Sequence, residues 1–348
     1  TVAHMKLGLE LDRSGYDFSS DERVGVYLTN TLEEAEEVSR NIFAQWISDE
    51  AREANKVKRA LPIMVVLGNP PYSYESANKG EWISRLIRDY YFVDGQPLGE
   101  RNPKGLQDDY VKFIRFGQHR IEQTGAGILT FITNHGYLDN PTFRGMRQQL
   151  MQTFSEIYIL DLHGNTKKRE TTPDGGKDEN VFDIQQGVSI AIFVKHSENK
   201  KPAKIYHQEL FGLRKDKYQW LEKESIKSTN WDQIEPIKPF YLFNPQNTEL
   251  LSHYNTYWKI TDVLSINTAS LYTARDSFTV SYSKKEVYRK IHDLKKNSIE
   301  HVRAKYDVGK DSKDWSLQKA KEDVVANGVE NKIVPITYRI FDNRFTYY

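Results

Sequence analysis

Four consecutive residues, Asn69-Pro70-Pro71-Tyr72, have side chains whose types and order suit chemistry on an amino group. The Asn69 amide oxygen and the Pro70 carbonyl oxygen could each accept a hydrogen bond from one N–H of a planar amine. Holding both protons frees the nitrogen lone pair, which is otherwise delocalised, to attack an electrophilic methyl group. The prolines fix φ and keep both acceptors in place before the reaction. Tyr72 offers a flat face on which a base could stack, at about 1–3 kcal/mol.

The position of this tetrapeptide favours the same chemistry. It follows an uninterrupted apolar run at residues 63–67, bounded by Pro62 and Gly68, which predicts a strand buried on both faces of a parallel sheet. Ligands of open α/β sheets bind beyond the carboxyl ends of strands. A proline-rich turn that ends a strand without any catalytic role would have the same sequence pattern. The strand before the tetrapeptide therefore carries as much of the prediction as the tetrapeptide itself.

Apolar periodicity predicts the elements that must position these residues. Helices are predicted at 1–11, 32–58 (one or two), 108–123 and 141–153, and strands at 24–28, 63–67, 127–133, 157–162 and 188–194. Strands that alternate with helices imply a doubly wound α/β sheet. No helix separates the last two strands, so they are expected to pair as an antiparallel hairpin. An α/β sheet that ends in such a hairpin is the arrangement of class I methyltransferases.

The composition changes after residue 198 and predicts two regions. Residues 1–198 form the catalytic core, and residues 199–348 form a mixed α+β region with a basic helical segment at 284–305. A length of 348 residues is compatible with two domains. The net charge of +1 means that any nucleic-acid surface must come from local clustering of charge.

The absence of cysteine excludes disulfides, thiolate metal sites and cysteine nucleophiles. It also fits a reducing cytoplasm. The sequence contains no apolar run of about 18 residues, so no membrane span is predicted. No signal peptide is recognised at the first residues. A protein of the cytoplasm is therefore expected.

Other polar residues give weaker predictions. Lys167, Lys168 and Arg169 belong to a polar loop at 164–180, where they could contact DNA phosphates or simply face solvent. His135 and His163 each follow a predicted strand, but neither has a partner at metal-ligand spacing, so structural or surface roles are favoured and no metal site is predicted. The aromatic and Arg-rich final segment could form a structural Arg–Asp cluster or part of a DNA-recognition surface; its residues are Tyr338, Arg339, Phe341, Asp342 and Arg344.

Residues 68–73 (Gly-Asn-Pro-Pro-Tyr-Ser) resemble catalytic motif IV of amino-methyltransferases. Their surroundings resemble the methyltransferase of Type I single-polypeptide (Type ISP) restriction–modification enzymes. The stretches that carry this resemblance are 3–11, 25–34, 108–138, 143–150, 156–165, 180–195 and 335–348. The resemblance covers most of residues 1–198 and the final segment, and it is loose between them.

The resemblance implies roles for three further residues. Asn30 would contact the adenine of S-adenosylmethionine, although other members of the family often have Asp there. Phe113 would pack against the same adenine, and Phe182 would pack on a target base flipped out of duplex DNA. The glycine-rich motif I and the acidic residue that binds the cofactor ribose are missing, because in the family they precede the segment that resembles 3–11. The fragment is therefore expected to be inactive alone and to have upstream domains on the same bacterial polypeptide. Any helicase and nuclease domains of such an enzyme would also lie upstream, and the sequence leaves open whether they are attached.

The resemblance implies transfer of a methyl group from S-adenosylmethionine to adenine N6 in double-stranded DNA. Two alternatives stay open at this point. Protein-glutamine N5 methyltransferases also use the Asn-Pro-Pro-Tyr sequence, and a non-catalytic module could dock DNA or assist assembly.

Overall fold

The computed structural model describes most of the chain as two compact units, Thr1–Glu249 and Leu250–Tyr348. The described residues are 2–19, 24–34, 45–59, 61–100, 102–197, 202–264, 273–312 and 315–348, with only the backbone described at 45–51. Among these residues, no helix is both long enough and apolar enough to cross a membrane.

The first unit contains six helices and eight strands among its described residues. The helices are α1 (Val2–Arg13), α2 (Gln45–Arg59), α3 (Glu81–Leu86), α4 (Asp109–Thr124), α5 (Arg144–Thr153) and α6 (Arg214–Lys223). The strands are β1 (Val65–Gly68), β2 (Phe92–Val93), β3 (Gln96–Pro97), β4 (Gly127–Asn134), β5 (Glu156–Asp161), β6 (Val188–Lys195), β7 (Lys204–Glu209) and β8 (Asp232–Ile234).

Six of these strands form one mixed sheet in the order β1-β4-β6-β5-β7-β8. The pairs β1/β4 and β5/β7 are parallel, whereas β6 is antiparallel to both of its neighbours, β4 and β5. The expected antiparallel pairing of the strands at 157–162 and 188–194 is confirmed. Because β1, β4, β5 and β7 run in the same direction, their carboxyl ends meet at one end of the sheet.

Helix α4 packs against this sheet because its apolar residues recur on one face. Tyr110, Ile114 and Ile121 on that face are buried in the main core cluster, together with Leu129 of β4. Gly117 lies on α4 opposite Leu129, where an added Cβ would come within 2.5 Å of that side chain. The absence of a side chain at Gly117 lets helix and strand approach closely. The helix ends at Gly125, whose φ of 90° suits glycine.

Two predictions for the N-terminal half are wrong. Residues 24–28 form no strand, and Leu28 is 91% exposed, because a strand needs a hydrogen-bonded neighbour and this segment has none among the described residues. Strand β1 is present as predicted, but it is not buried on both faces. Val65 and Leu67, which lie on the same face of β1, are 53% and 73% exposed, so this face is not covered by the described residues. Of the helices predicted at 32–58, α2 is confirmed, and residues 35–44 lie outside the described part of the chain.

The predicted boundary at residue 198 also differs from the structure. The strand at 188–194 is not the last of its sheet, because β7 and β8 extend the sheet beyond it. The compact unit therefore continues to Glu249. The polar composition after residue 198 hid this continuation, since β7 and β8 are short, only Ile205 and His207 of β7 are buried, and no residue of β8 is buried.

The second unit combines helices with a small antiparallel sheet, as the mixed α+β prediction expected. Its helices are α7 (Leu251–Tyr254), α8 (Ile260–Val263), α9 (Asp276–Thr279), α10 (Lys284–Lys296), α11 (Ile299–Tyr306) and α12 (Leu317–Asn327). Its strands β9 (Val280–Ser281), β10 (Ile333–Arg339) and β11 (Asp342–Tyr347) pair in the order β10-β11-β9. Helix α10 supplies Val287, Ile291 and Leu294 to the core of this unit.

Candidate active site

The tetrapeptide lies directly after β1, at the end of the sheet where the parallel strands finish. Pro70 is buried, while Asn69 and Pro71 are exposed. The Asn69 amide is therefore accessible to a ligand, and the buried Pro70 ring anchors the backbone beside it.

Tyr72 is half-buried and packs edge-to-face on Tyr110 of α4, with ring centroids 6.1 Å apart. Burial and, to a smaller degree, the negative charge of Asp108 raise the pKa of Tyr72 to about 12. The phenol therefore stays neutral at physiological pH. Its hydroxyl is buried and has no hydrogen-bond partner among the described residues.

The loop after the tetrapeptide is fixed by two aspartates at the start of α4. Asp108 Oδ1 accepts a hydrogen bond from the Ser73 backbone N–H at 2.9 Å. Asp109 Oδ1 accepts from Ser76 Oγ at 2.5 Å and from Asn78 Nδ2 at 2.9 Å. Burial raises the pKa of Asp108, and hydrogen bonds from backbone N–H groups partly oppose that rise. These aspartates therefore hold the loop that follows the tetrapeptide.

Lys112, one turn further along α4, completes this anchor. Its ammonium donates to Ser76 Oγ at 2.9 Å and to the Asn78 carbonyl at 2.6 Å. Burial lowers the pKa of Lys112, while the charge of Asp109 opposes that shift. Sequence reasoning missed these positioning residues. The available signal was a pair of aspartates immediately before a helix, where carboxylates commonly accept hydrogen bonds from backbone N–H groups.

Asn30 lies against the same loop. Its Nδ2 donates to Asn78 Oδ1 at 3.1 Å and to Glu33 Oε1 at 2.9 Å, and its Oδ1 accepts from the Leu32 N–H at 3.1 Å. The side chain is exposed, and its amide oxygen keeps a second lone pair for another donor. Phe113, four residues after Asp109 on α4, is half-buried against the main core. Both predicted cofactor residues are thus linked to the first turns of α4.

Phe182 lies in the segment 162–187, which connects β5 to β6. It is half-buried and packs on a small apolar cluster of Leu160, Leu162, Val181 and Val188, against which Tyr72 also packs. The structure therefore brings the two predicted base-stacking residues to one cluster. Phe182 does not begin a strand, since β6 starts at Val188.

This connecting segment is fastened by residues from beyond position 198. Lys217 of α6 forms an ion pair with Asp178 at 2.7 Å, and neither side chain is accessible to solvent. Lys217 also donates to the carbonyls of Leu162 at 2.8 Å and Glu179 at 2.7 Å. Asp178 accepts further hydrogen bonds from the backbone N–H groups of Gly164 at 2.7 Å and Gly212 at 2.8 Å.

The predicted phosphate-contacting residues Lys167, Lys168 and Arg169 are all exposed on this segment. Lys168 forms an ion pair with Asp139 at 3.2 Å, in which both side chains remain about half exposed. Surface pairs of this kind contribute little to stability. The geometry is compatible with a phosphate contact and with a solvated surface.

Two cavities border the candidate site. One, of about 620 Å³, is lined by Phe182 together with Asp178 and Arg214. The other, of about 640 Å³, lies beside α4 and is lined by Trp82, Phe116 and neighbouring residues. Neither Asn30 nor the tetrapeptide lines the cavity beside α4, so the size of this cavity alone does not identify it as a cofactor site.

The two histidines that sequence reasoning left without a role are brought together. His135 and His163 are both buried, with ring centroids 6.3 Å apart, so a surface role is excluded for either of them. They face Glu170, which comes from the segment between β5 and β6. Spacing along the sequence could not reveal this cluster, because its members come from different strand ends.

In the second unit, the expected Arg–Asp cluster is present at the C-terminal hairpin. Arg344 bonds to Asp342 at 2.8 Å and lies between the rings of Tyr282 and Tyr338, at 4.3 and 4.1 Å from their centroids. Tyr338 in turn donates to Asp276 at 2.7 Å.

Comparison with known protein families gives one match, which lies within the second unit. Residues 262–348 match the family model described as the Type ISP C-terminal specificity domain. No curated protein matches the chain.

The chain is also similar to solved structures of larger proteins, three of which are complexes with DNA or with a DNA substrate mimic. The DrdV–DNA complex has a TM-score of 0.53 and 24% identity, over 86% of this chain and 32% of that chain. The ATP-dependent Type ISP restriction–modification enzyme LlaBIII has a TM-score of 0.59 and 22% identity, over 96% and 24% of the two chains. A nuclease-deletion mutant of the Type ISP enzyme LlaGI has a TM-score of 0.60 and 22% identity, over 100% and 34%.

The likenesses to LlaBIII and LlaGI show that the chain shares a mixed α/β fold with regions of these Type ISP restriction–modification enzymes. The chain spans between about a quarter and a third of the length of these proteins.

Proposed function

We propose that this chain is the methyltransferase part, with the start of the DNA-recognition part, of a restriction–modification enzyme that methylates adenine N6 in double-stranded DNA. The observation that carries the proposal is the position of Asn69-Pro70-Pro71-Tyr72. An exposed amide and a half-buried aromatic ring follow a strand at the ligand-binding end of the sheet. The antiparallel β5/β6 pair, which class I methyltransferases share, supports the same proposal.

In this mechanism, the target adenine leaves the base stack and enters the site. Tyr72 and Phe182 provide aromatic faces for it from one apolar cluster. Asn69 Oδ1 and the Pro70 carbonyl accept one hydrogen bond each from the two N6 protons. These two acceptors would free the N6 lone pair for attack on the methyl group that the cofactor supplies, and one N6 proton would then be lost to solvent.

S-adenosylmethionine supplies an electrophilic methyl group on a sulfonium when it is bound. Asn30, through the free lone pair of its amide oxygen, and Phe113 would hold the adenine of this cofactor. An amide oxygen and an aromatic face are groups that suit the amino group and the ring of an adenine. The hydrogen bonds from Asn30 to Asn78 and from Asn78 to Asp109 would keep Asn30 beside α4. The glycine-rich motif expected to hold the rest of the cofactor would lie upstream on the same polypeptide.

The proposed DNA-recognition role is supported by the match of residues 262–348 to a specificity domain and by the DNA complexes of the similar structures. Arg344, which packs on two tyrosines while it pairs with Asp342, gives this hairpin the Arg- and Tyr-rich character that is common in surfaces that contact DNA. Helicase and nuclease domains upstream would complete the restriction function.

The test is Asn69→Ala in the complete polypeptide, assayed for methylation of DNA with labelled S-adenosylmethionine. Removing one preorganised hydrogen-bond acceptor is expected to lower kcat by about 10²–10³-fold with little change in DNA affinity. Asn102→Ala is a matched control, because Asn102 is also exposed and also precedes a proline. Equal losses of methylation and of DNA binding would contradict the role assigned to Asn69.

The product of the wild-type reaction separates the alternatives. Label in N6-methyladenosine supports the proposal, whereas label in protein glutamine would favour a protein methyltransferase. Bound DNA without any label would favour a non-catalytic docking module.

A further inference from the structure

Two buried histidines and a glutamate meet beside the candidate active site without forming hydrogen bonds to one another. His135 follows β4, His163 follows β5, and Glu170 comes from the segment that leads to β6. One ligand atom from each of the three lies within 4.8 Å of the other two.

One ring nitrogen of each histidine faces the Glu170 carboxylate. His135 Nε2 and His163 Nδ1 lie 4.0 and 3.9 Å from the two carboxylate oxygens of Glu170. These distances are too long for hydrogen bonds. Tetrahedral zinc with bonds of about 2.0–2.1 Å places its ligand atoms roughly 3.4 Å apart. Forming the site would take a contraction of about half an ångström along each of these two contacts and a closer approach of the two histidine nitrogens, which lie within 4.8 Å of each other.

The other nitrogen of each ring faces a different carboxylate. His135 Nδ1 lies 3.0 Å from Asp161 Oδ1, and His163 Nε2 lies 3.3 Å from Glu209 Oε1, without the alignment of a hydrogen bond. A carboxylate behind the non-ligating nitrogen is the usual support of a metal-bound histidine, because it fixes the tautomer and the ring orientation. His163 is held further by stacking on Phe211, with centroids 3.9 Å apart.

The charges of the cluster also favour a cation. Asp161, Glu170 and Glu209 converge here, and among the described residues their ion pairs all go to histidines. The side chains of Asp161 and Glu170 are largely buried, at 10% and 18% exposure, whereas that of Glu209 is 43% exposed. Burying two carboxylates side by side is costly without a compensating cation. The Asn165 side-chain amide competes with a metal ion for His135, because its Nδ2 lies 3.2 Å from His135 Nε2. This amide would have to move away when the metal binds.

We propose that His135 Nε2, His163 Nδ1 and Glu170 bind one divalent transition-metal ion. Its role is structural: the ion fastens the segment 162–187, which carries Phe182, to the ends of β4 and β5. Imidazole nitrogen together with carboxylate oxygen is a donor set that suits Zn²⁺. This inference does not depend on methyl transfer.

The test uses the tag-free chain, stripped of metal with a chelator and titrated with Zn²⁺ alone by calorimetry. We expect one tight site per chain, together with slower amide hydrogen exchange across 162–187 when zinc is bound. Glu170→Gln and, separately, His163→Gln should abolish the tight site. Asp161→Asn should weaken it by about 10–100-fold, because it removes the support behind His135.

A surface His–Glu pair provides the matched control. His196 lies 3.4 Å from Glu156 but is more than half exposed, so His196→Gln should leave zinc affinity unchanged. Circular dichroism of each variant establishes that it is folded. If no stoichiometric binding occurs, or if folded Glu170→Gln and His163→Gln variants bind zinc as tightly as the wild type, the proposed site is wrong. DNA methylation is measured separately, so its loss or retention does not bear on this result.

Discussion

The ion pair between Lys217 and Asp178 gives the sharpest stability prediction, because it joins α6 to the segment that carries Phe182. We expect Lys217→Met to destabilise the first unit by about 3–4 kcal/mol, since breaking a fully buried pair typically costs about 3–5 kcal/mol. The methionine keeps most of the side-chain length but removes the charge. Asp178 would then remain buried without its cationic partner.

The magnitude follows from the contacts that are lost. Lys217 makes three charge-assisted hydrogen bonds, one to Asp178 and two to carbonyls, each worth roughly 1.5–3 kcal/mol. The two backbone N–H groups that still bond to Asp178 offset part of this loss. The desolvation that Lys217 no longer undergoes offsets another part. We therefore place the result toward the lower end of the range for broken buried pairs.

The assay is urea-dependent amide hydrogen exchange read by mass spectrometry, which reports α6 and the segment 162–187 separately from α10. Lys215→Met is the control, because Lys215 is exposed on the same helix and should change stability by less than about 0.5 kcal/mol. Adding Asp178→Asn to Lys217→Met should recover part of the loss, since the unpaired charge is removed. A change below about 1 kcal/mol for Lys217→Met, or an equal effect of Lys215→Met, would refute this reasoning.

Two further predictions concern the first unit. Hydrogen bonds from Tyr241 and from Lys238 in the segment 238–241 lower the pKa of Asp94 to about 2, so its contribution to stability is present above its ordinary pKa near 4 and is lost as pH falls toward 2. The difference in Tm between wild type and Asp94→Asn should therefore shrink over that interval, and a constant difference would contradict the assignment. Gly145→Ala should destabilise the unit by about 1–3 kcal/mol, because the added Cβ would lie 2.5 Å from the Phe92 carbonyl oxygen. Gly8→Ala is the control, because open space surrounds Gly8 in α1. This control should be neutral or should stabilise the unit by up to about 1 kcal/mol. Thermal unfolding compares these two, and equal effects would show that the close backbone approach at Gly145 is not limiting.

Local patterns in the sequence predicted much of the first unit. The helices at α1, α4 and α5 and the strands β1, β4, β5 and β6 lie close to their predicted positions, because apolar periodicity and the punctuating glycines and prolines are properties of short segments. The antiparallel pairing of β5 with β6 was predictable for a similar reason, since no helix separates them. The tetrapeptide at the end of β1 was found because proline and asparagine mark the end of a strand. Its catalytic role and the roles of Asn30, Phe113 and Phe182 remain predictions.

Partners that are distant along the chain could not be predicted from such patterns. Asp108 holds Ser73, and Lys217 holds Asp178 from 39 residues away, because the sheet order and the packing of α4 and α6 bring them together. The same packing extended the unit past residue 198, where the composition had indicated a boundary.

The sequence by itself determined most of the helices and strands of the first unit, and it showed that Asn69-Pro70-Pro71-Tyr72 follows a strand. Only the tertiary structure decided which strand is an edge, which carboxylates hold the loop after the tetrapeptide, and that His135 and His163 share Glu170. The physical reason is that periodicity and turn chemistry act within a few residues. Charge pairing and ligand geometry depend instead on which strand ends the folded sheet places side by side.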